Sequence, residues 1–208
     1  MIMDIKTIEE KIKNRKPGFV GQHTSFGVMV LLVDTKKGPS LLYEVRAKTL
    51  SRQPGEICFP GGQREEGETM EQCAVRETCE ELGIEPAMIR VSGKLDTLHA
   101  HANFSLYCYL GITGHENISS AKINHDEVDE IFTVPIDFLL DTKPETHYMQ
   151  VRPYPEEDFP YDKIDFARGY KWRTGTLEVP IYTYEDKVIW GMTARITESF
   201  IEIIKGEE

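Results

Sequence analysis

The chain has 208 residues and a formal net charge of −11, with 40% hydrophobic and 28% charged residues. This length suits one well-filled core and leaves little room for two full domains. The negative charge disfavours binding to nucleic acid or to an anionic membrane, because both present phosphate groups that would repel the protein. A small phosphorylated ligand is not excluded, since a bound divalent cation can reverse the local field.

The cysteines and the apolar runs indicate the compartment. None of the four cysteines belongs to a C-x-x-C pair, which argues against a zinc site or a disulfide framework and favours a reducing environment. The N-terminal segment lacks the continuous apolar stretch of a signal peptide. The longest apolar run, residues 28–33, is too short to cross a bilayer. We therefore expect a cytoplasmic protein with neither nucleic acid nor a membrane as its partner.

The first half of the chain begins with a predicted helix and continues with strands. Residues 1–16 form an amphipathic pattern with Ile5, Ile8 and Ile12 on one stripe, which predicts an N-terminal helix. The apolar runs at 25–34 and 40–47 predict two strands of a hairpin, joined by a turn rich in Lys, Gly and Pro. A further strand is predicted to end at the sequence EICFPGG, and a glycine-rich loop leads from it into the next segment.

The second half alternates strands with short helices. Residues 94–100 and 104–113 predict a strand pair, and residues 127–141 predict a strand followed by a short helix. Residues 143–174 predict an irregular insertion with short strands. A further strand segment at 177–192 precedes a final amphipathic helix at 193–206. Mixed strands with helices outside them predict an α/β or α+β sandwich, as a single domain over residues 1–208.

A glutamate-rich segment at residues 61–84 predicts a helix with defined ends. Thr69 and Gln72 have the spacing of a capping box, and Gly83 stands where a left-handed cap is favourable. At about 100° per residue, one narrow sector of this helix contains Val75, Cys79 and Leu82, which predicts the core face. Glu77 and Glu81 lie almost opposite that sector and are expected to face away from the core.

The charge on this helix requires an explanation. Glu77, Glu80 and Glu81 stand at i, i+3 and i+4, and like charges at this spacing destabilise a helix by a few tenths of a kcal/mol per pair. Three carboxylates with room for water and a phosphate are typical of a Mg²⁺ or Mn²⁺ site. A solvated acidic face is the alternative reading of these three residues alone.

The fixed positions around these glutamates form a longer pattern. Gly62, Glu68, Arg76-Glu77, Glu80-Glu81 and Gly83-Ile84 match the Nudix box G-x5-E-x7-R-E-U-x-E-E-x-G-U, with Thr78 at the first aliphatic position U. The chain therefore resembles the Nudix hydrolases. The resemblance implies a Nudix-type α/β/α sandwich with a mixed central sheet.

The resemblance also implies roles for individual residues. Glu77, Glu80 and Glu81 would bind Mg²⁺ or Mn²⁺ together with the backbone carbonyl of Gly61. Arg76 would position these carboxylates, and Glu68 would support the passage from loop to helix. Glu77 and Glu81 would act in hydrolysis of a nucleoside diphosphate linked to another group. The general base would be Glu77 or a carboxylate outside the box, for which we favour Glu127; a surface position at a strand edge is the alternative for Glu127.

The segment upstream of the box indicates a substrate. Leu42, Arg46, Ala47, Gly55 and residues 59–62 match the signature L-L-T-x-R-(S/A)-x3-R-x3-G-x3-F-P-G-G, which makes the chain similar to the coenzyme A pyrophosphatases. Tyr43, Glu44 and Ser51 depart from that signature, and Arg52 lies one residue beyond its second arginine. The resemblance implies cleavage of coenzyme A (CoA) or its thioesters to 3′,5′-ADP and 4′-phosphopantetheine, or the acylated form.

In this reading Arg46, Arg52 and Gly62 contact the substrate, a small nucleoside diphosphate with CoA favoured. Other substrates of the same class stay open: ADP-ribose, NADH, a dinucleoside polyphosphate or an oxidised nucleotide. A non-catalytic nucleotide-binding module is the alternative of another class. The sequence leaves a homodimer open.

Overall fold

The computed structural model describes residues 4–36, 38–166 and 169–206. Parts of the expected N-terminal helix (1–3), hairpin turn (Lys37) and insertion (167–168) lie outside the described residues. The helices are α1 (Ile5–Lys13), α2 (Met70–Leu82), α3 (His115–Ser119), α4 (Ile136–Asp141) and α5 (Gly191–Lys205), with short 3-10 helices at Pro86–Met88 and Tyr161–Ile164. The strands are β1 (Thr24–Thr35), β2 (Gly38–Arg46), β3 (Ile57–Cys58), β4 (Gly61–Gln63), β5 (Arg90–Ala100), β6 (Phe104–Gly114), β7 (Val128–Pro135), β8 (Glu145–Val151), β9 (Gly175–Tyr184) and β10 (Lys187–Trp190).

The main sheet is mixed. Its strands follow the order β3-β2-β1-β6-β5, with β4 also paired to β1 and β7 also paired to β2. Strand β1 runs parallel to β6 and antiparallel to β2 and β4. The expected hairpin and the expected pair formed by β5 and β6 are both confirmed.

Side chains of the central strands alternate between two buried layers. In β1, Val28 and Val30 belong to a cluster with residues of α4 and α5, whereas Met29 and Leu31 belong to a cluster with residues of α2. Burial of such side chains stabilises the fold by about 1.5–3 kcal/mol each. Helices therefore cover both faces of the mixed sheet, and the predicted α/β/α sandwich is confirmed.

Helix α2 begins and ends as the sequence predicts. The Thr69 hydroxyl accepts a hydrogen bond from the Gln72 N–H at 3.2 Å, and the Gln72 side chain accepts one from the Thr69 N–H at 2.9 Å. Gly83 adopts a left-handed conformation with φ 62°. These bonds satisfy backbone groups that have no partner within the helix.

The predicted orientation of α2 is wrong in one respect. Its buried residues are Cys73, Ala74, Thr78, Glu81 and Leu82, so Glu81 lies within the buried arc and not opposite the core. The physical reason is a close contact with β1: a Cβ on Gly27 would stand 2.6 Å from both Ala74 N and Met70 O. A helix held this close to the sheet buries a wider arc than its apolar residues indicate.

Thr78 is also accommodated at the position where the family pattern has an aliphatic residue. Its side chain is fully buried, and its hydroxyl donates to the Ala74 carbonyl at 2.6 Å. A buried hydroxyl with a backbone acceptor carries little desolvation penalty.

Two peripheral regions complete the fold. The predicted N-terminal helix is present as α1, but none of its residues is buried, and its apolar stripe is exposed, with Ile5 83%, Ile8 47% and Ile12 60% exposed. Of the segment expected to be irregular, Glu145–Val151 forms β8, which pairs with β9; β9 pairs in turn with β10, so that the three strands form a second sheet. Among the described residues, no helix has the length and hydropathy needed to cross a bilayer.

Candidate functional site

Arg76 is the centre of an ion-pair network on α2. Its guanidinium lies 2.9 Å from a Glu68 oxygen, 2.9 Å from a Glu77 oxygen and 3.0 Å from a Glu80 oxygen. The structure thus brings together Arg76 and three of the glutamates that the sequence singled out. We name Arg76, Glu68 and Glu80 the outer network, because Glu80 is more than half exposed.

Glu68 ties the glycine-rich loop to the helix. One of its oxygens accepts a hydrogen bond from the Glu65 N–H at 2.7 Å, and both oxygens accept bonds from Arg76. These bonds favour the ionised carboxylate, so the pKa of Glu68 falls to about 2. The carboxylates of Glu68 and Glu77 in turn raise the pKa of Arg76. Glu68 is therefore positioned to support the passage from loop to helix.

Glu81 has a different environment, because it is only 3% exposed. Its Oε2 accepts a hydrogen bond from the Gly61 N–H at 2.9 Å. Burial, and secondarily the nearby charge of Glu44, raises the pKa of Glu81 well above its usual range. The contact that the structure gives Gly61 uses its N–H, so a metal-binding role for its carbonyl stays a prediction.

Glu77 lies between these two environments. Burial raises the pKa of its carboxyl, whereas Arg76 opposes that shift. The carboxylate is pressed against Gly62, where an added Cβ would overlap it. A side chain at position 62 would displace the Glu77 carboxylate from this place. Contact of Gly62 with a substrate stays a prediction.

The structure brings Glu127 to the same cluster. Its backbone carbonyl accepts a hydrogen bond from the Ala47 N–H at 2.8 Å, which fixes the end of its loop beside β2. The side chain is exposed, and its charge contributes to the raised pKa of Glu77 and of Glu81. Glu127 therefore acts on the charge of the helix carboxylates, and its role as general base stays a prediction.

The sequence reasoning missed Glu44 as a site residue. This side chain is 1% exposed on β2, and its Oε1 accepts a hydrogen bond from the Cys58 thiol at 3.2 Å. Burial raises the pKa of Glu44, and the charges of Glu127 and Glu77 add to the shift. Its appearance within an apolar strand, at a position where the CoA signature has threonine, was the available signal. We name Glu44, Glu77, Glu81 and Glu127 the inner cluster.

Of the two predicted substrate arginines, one lies at the cluster. Arg46 is partly buried, its charge acts on Glu44, and its buried Nε has no hydrogen-bond partner in the described part of the chain. Arg52 is exposed in the loop between β2 and β3. None of the described contacts brings Arg52 to the inner cluster.

The inner cluster fits a divalent cation by its chemistry. Its donors are carboxylate oxygens, which Mg²⁺ and Mn²⁺ prefer, and the buried Oε2 of Glu44 has no hydrogen-bond partner among the described residues. Within those residues, no three His, Cys, Asp or Glu side chains are already arranged to hold a metal ion.

Comparison with known proteins identifies the family. The NUDIX domain model matches residues 23–154, a range that contains β1 to β7 and the inner cluster. The chain belongs to the NUDIX domain family.

Three relatives extend this finding. Nudix hydrolase 3 of Caenorhabditis elegans is 33% identical over 120 residues, which cover 57% of this chain and 50% of that protein. The human mitochondrial coenzyme A diphosphatase NUDT8 is 29% identical over 182 residues, 86% of this chain and 69% of that protein. The mouse peroxisomal coenzyme A diphosphatase NUDT7 is 34% identical over 126 residues, 60% of this chain and 52% of that protein. The chain thus spans half to about two thirds of these relatives.

One solved structure resembles nearly the whole chain. A MutT/nudix family protein from Enterococcus faecalis superimposes with a TM-score of 0.52 at 15% identity, over 98% of this chain and 70% of that protein. At this identity the likeness concerns the fold.

Proposed function

We propose that this protein hydrolyses the pyrophosphate bond of coenzyme A or its thioesters with a bound Mg²⁺ or Mn²⁺. The observation that carries the hydrolase proposal is the inner cluster, in which Glu44, Glu77 and Glu81 are buried or half-buried beside Glu127. Of these carboxylates only Glu77 has an ion pair in the described part of the chain, with Arg76, and a cation would neutralise the charge that this leaves. The site therefore favours a metal-dependent reaction over a solvated acidic surface.

Different residues of the site have different parts in the proposed reaction. Glu77, Glu80 and Glu81 would hold the cation, which when bound neutralises phosphate oxygens and activates water for attack on phosphorus. Glu127, exposed at the rim of the cluster, accepts the proton of the attacking water. Arg76 holds the carboxylates of α2 in place through its three ion pairs.

Support for CoA as the substrate comes from Arg46 and from the relatives. The unpaired Nε of Arg46 can donate to an anionic group, and a guanidinium suits forked hydrogen bonds with a phosphate. Two relatives carry the name coenzyme A diphosphatase. A cytoplasmic location for this chain stays part of the proposal, and so does the absence of nucleic-acid and membrane partners.

The decisive experiment is product identification by chromatography. The purified chain receives CoA, dephospho-CoA, ADP-ribose, NADH, a diadenosine polyphosphate or 8-oxo-dGTP, each with Mg²⁺ or Mn²⁺. We expect selective conversion of CoA to 3′,5′-ADP and 4′-phosphopantetheine. Preference for another nucleotide would retain the reaction class and reject CoA, whereas binding without turnover would favour the nucleotide-binding module.

A variant of Arg46 tests how CoA is recognised. If its guanidinium pairs with the 3′-phosphate, Arg46→Ala lowers kcat/KM for CoA about tenfold more than for dephospho-CoA, a difference of about 1.4 kcal/mol. Arg90→Ala removes an exposed arginine of β5 and serves as the matched control. Equal losses for the two substrates would contradict this role of Arg46.

A further inference from the structure

Glu44 is a buried charge with an incomplete set of partners. It lies near the C-terminal end of β2, paired in register with Cys58 of β3 and Ile131 of β7. The Cys58 thiol donates a hydrogen bond to Oε1. The other oxygen, Oε2, is buried and has no hydrogen-bond partner among the described residues. Leaving a carboxylate oxygen unpaired in the interior is costly, so such an atom is expected to have a ligand.

The direction of the side chain identifies the kind of ligand. Residues two apart on a strand face the same side of a sheet. Leu42 packs in the cluster formed with α2, so Glu44 also faces α2 and the glutamates on it. Besides Arg46, the charged groups that act on Glu44 are the carboxylates of Glu127, Glu77 and Glu81. A cation shared among these carboxylates would satisfy the unpaired oxygen of Glu44.

Arg46 does not supply that cation. Although its charge acts on Glu44, no ion pair between the two side chains within 4.0 Å is found in the described part of the chain, and the buried Arg46 Nε is itself without a hydrogen-bond partner. The two groups are near each other and each has an unsatisfied atom. An exogenous cation for Glu44 and an anion for Arg46 would satisfy both.

We propose that Glu44 is an additional ligand of the divalent cation, joining Glu77 and Glu81 from the opposite side of the cluster. This inference rests on the proposed metal-dependent function. It gives the cation carboxylates from two separate elements, β2 and α2. Threonine, which the CoA signature has at this position, offers a neutral hydroxyl, so the unmodified chain should bind the cation more tightly than the variant Glu44→Thr.

The experiment measures Mn²⁺ binding to the full chain by electron paramagnetic resonance and titration calorimetry, without substrate. The variants are Glu44→Gln, which preserves shape and can still accept from Cys58, and Glu44→Thr. Glu178→Gln, which removes an exposed charge from β9, is the control. We expect both Glu44 variants to bind Mn²⁺ at least about tenfold more weakly, with no change for the control.

A second readout separates a ligand from a merely structural residue. Without metal, Glu44→Gln removes a poorly compensated buried charge, so its melting temperature should stay the same or rise. The stabilisation that Mn²⁺ adds should shrink in the same variant. If Glu44 is a ligand, Glu44→Gln should therefore have an unchanged or higher melting temperature without metal. The rise in melting temperature that Mn²⁺ causes should be smaller in this variant. A lower melting temperature without metal, together with normal Mn²⁺ affinity, would overturn the proposal in favour of a structural role.

The outcomes also separate this inference from the proposed function. Unchanged Mn²⁺ affinity in both Glu44 variants, with turnover intact in the unmodified protein, would reject Glu44 as a ligand and leave the function standing. Failure of the unmodified protein to bind Mn²⁺ or Mg²⁺ would reject both. If Glu44→Gln does not fold, Glu44→Thr decides between these outcomes, since threonine is favourable in a strand.

Discussion

The outer network and the inner cluster contain the same residue type in opposite electrostatic states. In the outer network, hydrogen bonds from Arg76 hold the pKa of Glu68 near 2. In the inner cluster, burial raises the pKa values of Glu44 and Glu81. Glu68 is therefore satisfied by the protein alone, whereas the buried Oε2 of Glu44 has no hydrogen-bond partner among the described residues. This difference separates a residue that supports the site, Glu68, from residues proposed to bind at it.

The largest expected effect comes from Glu81→Gln, which neutralises the most buried carboxylate of α2. The amide oxygen can still accept from the Gly61 N–H, so the fold should be retained. Loss of a metal ligand removes several kcal/mol of transition-state stabilisation, and kcat should fall at least about a hundredfold. Glu71→Gln, an exposed residue in the first turn of α2, is the control. Steady-state activity near that of the unmodified protein would contradict the assignment.

The pH dependence of stability offers the next test. Because the folded pKa values of Glu44 and Glu81 lie above the ordinary value of 4.5, the folded state binds more protons than the unfolded state over that interval. The free energy of unfolding without metal should therefore fall as pH rises above 4.5, by at most about 1.4 kcal/mol per pH unit for each group.

Denaturant unfolding in the presence of a chelator measures this slope. Mg²⁺ should flatten it, because a bound cation stabilises the ionised carboxylates. The slope should also be smaller in Glu81→Gln, which separates the inner cluster from the general repulsion of a chain with net charge −11. An equal slope in this variant would show that the inner cluster is not its source.

The smallest expected effects belong to the outer network. Glu68→Gln should destabilise the protein by about 1–2 kcal/mol, since it removes a charge-assisted pair that is mostly shielded from solvent. The matched variant Glu80→Gln should cost about 0.5 kcal/mol or less, because that pair is exposed. The Glu68 contribution is present above pH 4.5 and is lost as pH falls towards 2. Chemical denaturation at several pH values measures the loss of unfolding free energy in each variant. Equal losses in Glu68→Gln and Glu80→Gln would contradict the expected difference between the shielded and the exposed pair.

Local patterns predicted much of this molecule. The ends of α2 depend on residues within a few positions, Thr69 with Gln72 at one end and Gly83 at the other, so the sequence shows them directly. The box residues likewise lie within one loop and one helix. The strands of the main sheet were recognisable from apolar runs and turn residues, and the family pattern indicated the layers around them.

Contacts between distant segments could not be predicted in this way. The burial of Glu81 follows from the approach of α2 to Gly27, and the position of Glu44 follows from its pairing with Cys58. Glu127 reaches the cluster because its loop is bonded to Ala47, far earlier in the chain. Helical periodicity shows only which face of a helix is apolar. It therefore placed Glu81, whose carboxylate is buried, on the face away from the core.

The contact at Gly27 has a mechanical consequence. Main-chain atoms of α2 meet the main chain of β1 there, so no side-chain rotamer lies between them to absorb a shift. The lateral position of the helix is thus defined by covalent geometry and not by adaptable packing. Since the same helix carries Glu77 and Glu81, this backbone contact also restricts where these two residues lie relative to the sheet. The contact at Gly27 therefore also helps to set how far the carboxylates of α2 lie from Glu44 on the neighbouring strand.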